Sequence, residues 1–476
     1  MSADNAYPSS SEGRLSRVAI KFTEWSERFI PDAFIFALIA TLIIFVLSMT
    51  VAQAPALAVL NGWGKGFWEL IPFTMQMALI IITGYVLATA RPVYRLISRL
   101  AAAPQTPRGA VLMVALFSMI TSWFNWGFSL IISAILAREV AKRNKLVDYR
   151  ALAAASFLGQ GSMWAQGISG SANLQMCTAE SLQPAIRRVV ENGGVVPGGL
   201  IGLQHTAFLW QTLLTVVIEI ILVGAIVWFY TPLGAKAKTA KALNVNLGSD
   251  PPELPTQART PGEWLEYSPL LNTLIGTMGI TYLLTTLLRA PSTISAITLN
   301  NINFFFLMVG VLAHGTPHRL MNAFREATPA VWGAILQFPF YAGIAGMITS
   351  TGLNEKIAGF FVSISNPITF APIISIYSTI LGVFVPSGGS KWIIEAPYVL
   401  TAAHDLKVHL GWVVSVYNLG EALANLIQPF WMVPILTILG LKARDVMGYT
   451  AVVFIVLLPA VLIMVTLLGM TLPYPL

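Results

Sequence analysis

The chain has 476 residues, of which 56% are hydrophobic and only 10% charged, and its formal net charge is +7. A soluble domain carries about 25% charged residues, so this composition excludes one and indicates a polytopic membrane protein. The positive balance reflects Lys and Arg at helix ends rather than a nucleic-acid surface. A single cysteine, Cys177, excludes a disulfide framework or a cysteine metal site.

Residues 1–31 form an amphipathic segment in which Arg14 to Ile30 alternates charged and apolar residues, as expected of a helix lying in the membrane plane. A bilayer-crossing helix needs about 20 apolar residues. By that measure spans are predicted at 33–53, 67–90, 151–175, 207–230, 268–288, 294–314, 331–351, 410–438 and 447–472. Two apolar stretches, 109–137 and 369–403, break in the middle, at Thr121-Ser122-Trp123-Phe124-Asn125-Trp126-Gly127 and at Val385-Pro386-Ser387-Gly388-Gly389-Ser390-Lys391-Trp392.

Charge places the first break. Arg91, Arg95, Arg99 and Arg108 precede it, and Arg138, Lys142, Arg143, Lys145 and Arg150 follow it. Positive charge on both sides puts both ends in the cytoplasm. Two arms of about 20 Å are also short of a 30 Å hydrocarbon core. A re-entrant hairpin satisfies both facts. The same topology carried forward puts the amino terminus in the cytoplasm, the carboxyl terminus outside, and the second hairpin entering from outside. The halves then align as an all-α inverted-topology repeat with two opposed re-entrant helical hairpins and interrupted membrane helices: 32–231 with hairpin 109–137, and 294–476 with hairpin 369–403. Between them lie a solvated cytoplasmic linker, 232–266, and an extra connecting helix, 267–293. Pro72-Phe73 and Pro339-Phe340 echo one another ahead of the hairpins, and 91–99 and 356–365 read as helices along the interface.

Each hairpin is followed by a glycine-interrupted span, Gly159 to Ser171 and Tyr417 to Pro429. Irregular backbone at membrane depth is tolerated only where it lines a polar cavity, and matched breaks in two halves point to a transporter's binding site. Half-helix amino termini offer N–H groups to an anion, and unwound carbonyls with Ser or Asn oxygens can hold a cation. The candidate substrate- or ion-binding residues are Ser122, Asn125, Gln166, Ser169, Ser171, Ser387, Gly388, Gly389, Ser390, Lys391, Asn418, Glu421 and Asn425, with Glu395 or Glu421 as the titrating group. Lys391 either attracts a substrate carboxylate or braces the hairpin through an i,i+4 pair with Glu395. Glu219, in mid-span, is either a proton relay or a buried contact and stands outside the core site. Gly167-Ile168-Ser169-Gly170 matches an intramembrane serine protease pattern, but His205, His314, His318, His404 and His409 all fall near span ends, away from such a nucleophile.

The chain resembles the short-chain fatty acid transporter family of the AtoE type, within the ion-transporter superfamily. The resemblance is carried by Pro31-Asp32-Ala33-Phe34-Ile35-Phe36-Ala37, by the first break, by Gln337-Phe338-Pro339-Phe340-Tyr341-Ala342-Gly343-Ile344, by Val385 to Gly389, by Ile427-Gln428-Pro429-Phe430-Trp431 and by Gly440-Leu441-Lys442-Ala443-Arg444-Asp445. It implies uptake of short monocarboxylates such as acetoacetate or butyrate through a bacterial inner membrane, and a homodimer with an elevator-like transport domain. The chain departs from that pattern at Ser390-Lys391 and Glu395, where neutral residues are usual, and at Trp164-Ala165-Gln166-Gly167. The reading is therefore a cation-coupled secondary transporter of small carboxylates, using a proton or sodium ion and no other cofactor. A sodium-coupled dicarboxylate or amino-acid carrier and, remotely, an intramembrane serine hydrolase are the alternatives.

Overall fold

Apolar stretches punctuated by Pro, Gly and charge fold as helices because a chain in lipid must satisfy its backbone internally. The computed structural model describes residues 33–69, 71–247, 260–290, 292–294 and 296–476, and these are helical with no strand among them. The amphipathic segment 1–31 lies outside the described residues.

In chain order the helices are α1 (Ala33–Thr50), α2 (Ala56–Glu69), α3 (Ile71–Ala88), α4 (Arg91–Leu100), α5 (Pro107–Phe124), α6 (Trp126–Arg143), α7 (Tyr149–Leu158), α8 (Ser171–Cys177), α9 (Pro184–Glu191) and α10 (Trp210–Tyr230). There follow α11 (Pro261–Tyr267), α12 (Leu270–Arg289), α13 (Leu299–His314), α14 (Pro317–Ala327), α15 (Trp332–Ser350), α16 (Leu353–Ile364), α17 (Phe370–Phe384), α18 (Gly388–Asp405), α19 (Leu410–Asn425), α20 (Val433–Leu439) and α21 (Ala443–Gly469). Five of the described helices are long and apolar enough to cross a bilayer by themselves.

The burial pattern is concentric. Every described residue of α19 is buried, as are nearly all of α7 and α18, whereas α12 exposes Leu274, Ile275, Met278 and Leu288. Exposed apolar faces suit lipid, so the polar broken elements sit at the centre of a helical wrapper.

Several boundaries differ from the sequence expectation. The predicted span 67–90 is resolved into α2 and α3. Helix α2 packs closely on α15 because Gly62 and Gly66 leave room: a Cβ on Gly66 would lie 2.6 Å from the Ala342 carbonyl oxygen and 2.9 Å from Gly346 Cα. The linker is not wholly irregular, since Pro261–Tyr267 is helical behind a capping box of Thr260 and Glu263. The first hairpin is longer than 109–137, because α5 and α6 have 18 residues each, or about 27 Å per arm. Arm length therefore no longer argues against a full crossing; the fold-back does. Ser129 Oγ donates to the Ser118 carbonyl at 2.9 Å and lies 2.8 Å from Thr121 Oγ1, so the arms turn on the single non-helical residue Asn125.

The second span is interrupted within the expected stretch, Tyr417 to Pro429, but only at its end. Tyr417 to Asn425 is intact helix, and the break falls at 426–429, with a 70° bend into the following turn. Gly420 serves packing rather than unwinding: a Cβ there would lie 2.5 Å from the Ser375 carbonyl oxygen and 3.0 Å from Ser378 Cβ. The small side chain lets α19 lie against α17. Gly420→Ala is accordingly expected to lower stability by about 1–3 kcal/mol through overpacking, measured as the thermal unfolding of the detergent-solubilised protein; an unchanged melting temperature would contradict this contact.

Candidate functional site

The first tip is built on capping geometry. Asn125 is extended, with φ −153° and ψ 112°, and its Oδ1 accepts the Phe128 N–H at 2.9 Å, starting α6. The tip docks on the first interrupted span, which runs as a π turn at Gly159–Met163, a 3-10 turn at Trp164–Gln166 and an irregular link before α8. There the Ile168 N–H donates to the Trp123 carbonyl at 2.9 Å, and Ser169 Oγ accepts the Trp126 N–H at 3.0 Å. Gly167 is required because the Trp123 backbone occupies the space of its Cβ. Gly167→Ala should push the tip from its seat and reduce uptake about 100-fold, as a misplacement of 1 Å can. Measured uptake within a fewfold of the parent would show that the seat is not required.

The second tip carries the charge. Lys391, Glu395 and Glu421 have no solvent exposure. Lys391 Nζ lies 2.6 Å from Glu421 Oε2 and 3.7 Å from Glu395 Oε1, and it donates to the Ser378 carbonyl. The far oxygen of Glu395, Oε2, accepts Ser378 Oγ–H at 2.6 Å. The Lys391 ammonium also sits 4.8 Å from the ring centroid of Tyr417, whose hydroxyl donates to the Gly388 carbonyl. One ammonium thus faces two carboxylates from different helices, α18 and α19. Glu421 Oε1 has no hydrogen-bond partner among the described residues.

The two tips converge. A Cβ on Gly388 would meet the Trp164 ring and lie 3.2 Å from Glu421 Cγ; one on Gly389 would lie 3.3 Å from both Phe73 Cζ and Ser171 Cβ. Trp431 closes the gap, its Nε1 donating to the Pro386 carbonyl at 2.6 Å and its ring 5.4 Å from that of Trp126. Trp126 in turn stands edge-on to Trp164 at 6.0 Å. Asn418 Nδ2 donates to Asn173 Oδ1 at 2.8 Å, and Asn425 Nδ2 to the Gln160 carbonyl at 3.0 Å, so α19 is tied to the first broken span on two levels.

The family profile described as short chain fatty acid transporter matches residues 14–468. The chain belongs to the short-chain fatty acid transporter family. It is 36% identical over 446 residues to an Escherichia coli (strain K12) protein named, provisionally, a short-chain fatty acid transporter, covering 93% of this chain and 97% of that one. A Haemophilus influenzae protein of the same provisional name is 33% identical over 445 residues, covering 92% and 97%. The fold is similar to the Alcanivorax borkumensis YdaH transporter, described as having an unusual topology (TM-score 0.59, 15% identity, 93% of this chain and 99% of that one). It is equally similar to Neisseria gonorrhoeae MtrF, described within a class of antimetabolite efflux pumps (TM-score 0.59, 13% identity, 97% and 99%).

In this short-chain fatty acid transporter family member, the predicted residues are not all gathered in one place. Ser122, Asn125, Ser169 and Ser171 stand with tip 1 and its seat; Gly388, Gly389, Lys391, Glu395 and Glu421 form the charged cluster; Asn418 and Asn425 join the two. Ser387 and Ser390 bond each other at 3.0 Å. Gln166 turns away: its Nε2 donates to Glu219 Oε2 at 2.9 Å and its Oε1 accepts from Thr215 at 2.7 Å. Phe73, Trp164, Asn173 and Trp431 were missed as site residues. Asn173 had a signal, being polar two residues after the Ser171 break. Phe73, Trp164 and Trp431 each stand in a string singled out above, but nothing in those strings separates a ring that lines a site from one that packs in the core. Ser169 is spoken for by the Trp126 N–H, and the five histidines make their contacts elsewhere, His205 near His409, His314 on Val86, His318 beside Tyr267 and His404 on Tyr474.

Proposed function

We propose that the chain is a secondary active transporter that moves a short monocarboxylate, of the acetoacetate or butyrate kind, together with a cation by alternating access. The observation that carries this reading is the Lys391 cluster at the convergence of two fold-back tips. Charges at membrane depth are costly and mark substrate and ion paths. A substrate carboxylate can take the place of Glu421 on Lys391. It would meet the first N–H groups of α18, at Gly388, Gly389 and Ser390, which have no intrahelical acceptor. The rings of Phe73 and Trp164 beside Gly389 and Gly388 offer a wall for a short alkyl chain.

Charge counting then requires a co-transported cation. With a substrate bound, three carboxylates share one ammonium, one more negative charge than before. A proton on the displaced Glu421, or a sodium ion among the Ser and Asn oxygens, restores the balance. The exchange would make transport electroneutral at one cation per monocarboxylate. The two tips with their broken partner spans further support an inverted repeat that opens to each side in turn. The setting proposed is a bacterial inner membrane, with the amino terminus cytoplasmic, the carboxyl terminus periplasmic, and the protein a homodimer moving its central helices like an elevator.

Reconstituted proteoliposomes test this with labelled acetate, butyrate, acetoacetate and succinate under separately imposed proton and sodium gradients. Saturable uptake of the monocarboxylates driven by one gradient, and unchanged by an imposed membrane potential, is expected. Absence of saturable uptake for every carboxylate would remove the proposal, and preference for succinate would replace the monocarboxylate by a dicarboxylate.

A further inference from the structure

Glu219 lies in the middle of α10 with its side chain fully enclosed, and no cation pairs with it among the described residues. Its Oε2 accepts from Gln166 Nε2 at 2.9 Å, while its Oε1 has no hydrogen-bond partner among the described residues. Gln166 is fully engaged at its amide: Nε2 also donates to the Ser162 carbonyl at 3.1 Å, and Oε1 accepts from Thr215 Oγ1 at 2.7 Å. Thr215 has a second acceptor for its one hydroxyl proton, the Thr212 carbonyl, also at 2.7 Å. Gln166 closes the 3-10 turn that leads directly into Gly167 and Ser169, the seat of the first tip.

We infer that Glu219 is a proton-dependent positioning residue for the first hairpin tip, acting through the amide of Gln166. The network has two hydrogen-bonding arrangements, which differ in whether the Ser162 carbonyl keeps its donor. With Glu219 ionised, Gln166 must present its NH2 to the carboxylate, as observed, and Thr215 donates to Gln166 Oε1. A proton arriving on Glu219 turns it into a donor, and a half-turn of the Gln166 amide presents Oε1 to the new O–H. Nε2 then donates to Thr215 Oγ1, whose proton passes wholly to the Thr212 carbonyl. Every group keeps a partner except the Ser162 carbonyl, which loses its donor within the π turn. Proton occupancy at Glu219 therefore sets the hydrogen bonding of the segment on which tip 1 rests. A buried carboxyl with no countercharge is the kind of group that marks proton paths within membranes.

The charged and titratable groups of the packed elements stand off from it. On α5 the cation is Arg108, over Trp228 at 5.9 Å, and on α21 Arg444, Asp445 and Tyr449 lie at its start, with Tyr449 against Tyr230 at 5.1 Å. Those contacts are at the last turns of α10, about 14 Å or more along the helix from Glu219. On α19, Tyr417 and Glu421 face Lys391, while Ser415 meets Thr212 at 3.0 Å.

Infrared difference spectroscopy between alkaline and acidic pH, on the 476-residue chain in liposomes, reads Glu219 without substrate. A protonated-carboxyl C=O stretch appearing on acidification should be lost in Glu219→Gln. A spectrum unchanged by that substitution would overturn the inference. Uptake supplies the second reading: Glu219→Gln should lose the part of the pH response of KM that the parent shows. A KM profile identical to the parent's would also overturn it. Should Glu219→Gln fail to fold, Thr215→Val removes the acceptor that the protonated arrangement needs, and should lose the same pH response with Glu219 intact. A parental profile in Thr215→Val decides against the inference. The uptake arm rests on the transport reading above; the infrared arm does not, so failure of the substrate assignment leaves it standing.

Discussion

Lys391→Met is expected to abolish saturable uptake and to cost about 3–5 kcal/mol of stability, because it strands two buried carboxylates without their shared ammonium. The stability loss alone does not distinguish a carboxylate-binding lysine from a brace, since both readings place Lys391 between Glu395 and Glu421. The triple variant with Glu395→Gln and Glu421→Gln does. Removing all three charges together eliminates the stranded carboxylates, and neutral replacement of buried ion networks is often no worse for stability. Thermal unfolding should therefore recover while uptake stays absent. Recovery of uptake in the triple variant would make Lys391 a brace and move the carboxylate site to the backbone N–H groups of tip 2.

Glu421→Gln should have the opposite profile. The amide keeps the volume and can still sit beside Lys391, so the protein should fold, but it cannot take up a proton when substrate displaces it. Exchange of labelled for unlabelled substrate should continue within about tenfold of the parent, whereas accumulation driven by a cation gradient should vanish, a loss of about 2.7 kcal/mol of stored gradient for each hundredfold of lost accumulation ratio. Counterflow and gradient-driven uptake measured on the same liposomes check this. Retention of gradient-driven accumulation would transfer coupling to Glu395 or to a sodium ion elsewhere.

The sequence made the central elements legible because breaks, charges and glycines are local signals. The break that holds Asn125, the glycine-interrupted span that holds Gly167, and Lys391, Glu395 and Glu421 as charges at membrane depth could all be singled out from residue type and position. What escaped depended on partners far along the chain. Gly420 looks like an unwinding glycine until Ser375 is seen against it. Gln166 looks like a site residue until Glu219 and Thr215, roughly fifty positions on, take its amide. Helix α2 was missed because its Gly, Asn and Lys residues dilute an apolar run, although those same glycines are what seat it on α15. Charge does not end the hairpin arm at 137, since Arg138, Lys142 and Arg143 remain helical; Glu139 pairs with Lys142 at 2.7 Å and Arg143 at 2.9 Å and so keeps the last turns of α6 ordered.

Trp431 touches both tips at once, holding the Pro386 carbonyl of one and stacking edge-on to Trp126 of the other. A carrier that released both tips together would be an open pore, and the gradient it uses would run down through it. If the two tips gate opposite sides, as proposed, a single side chain shared by both would act as an interlock against that short circuit. In Trp431→Ala the tips no longer share that contact, and the expected failing is a leak: cations crossing in the absence of any carboxylate.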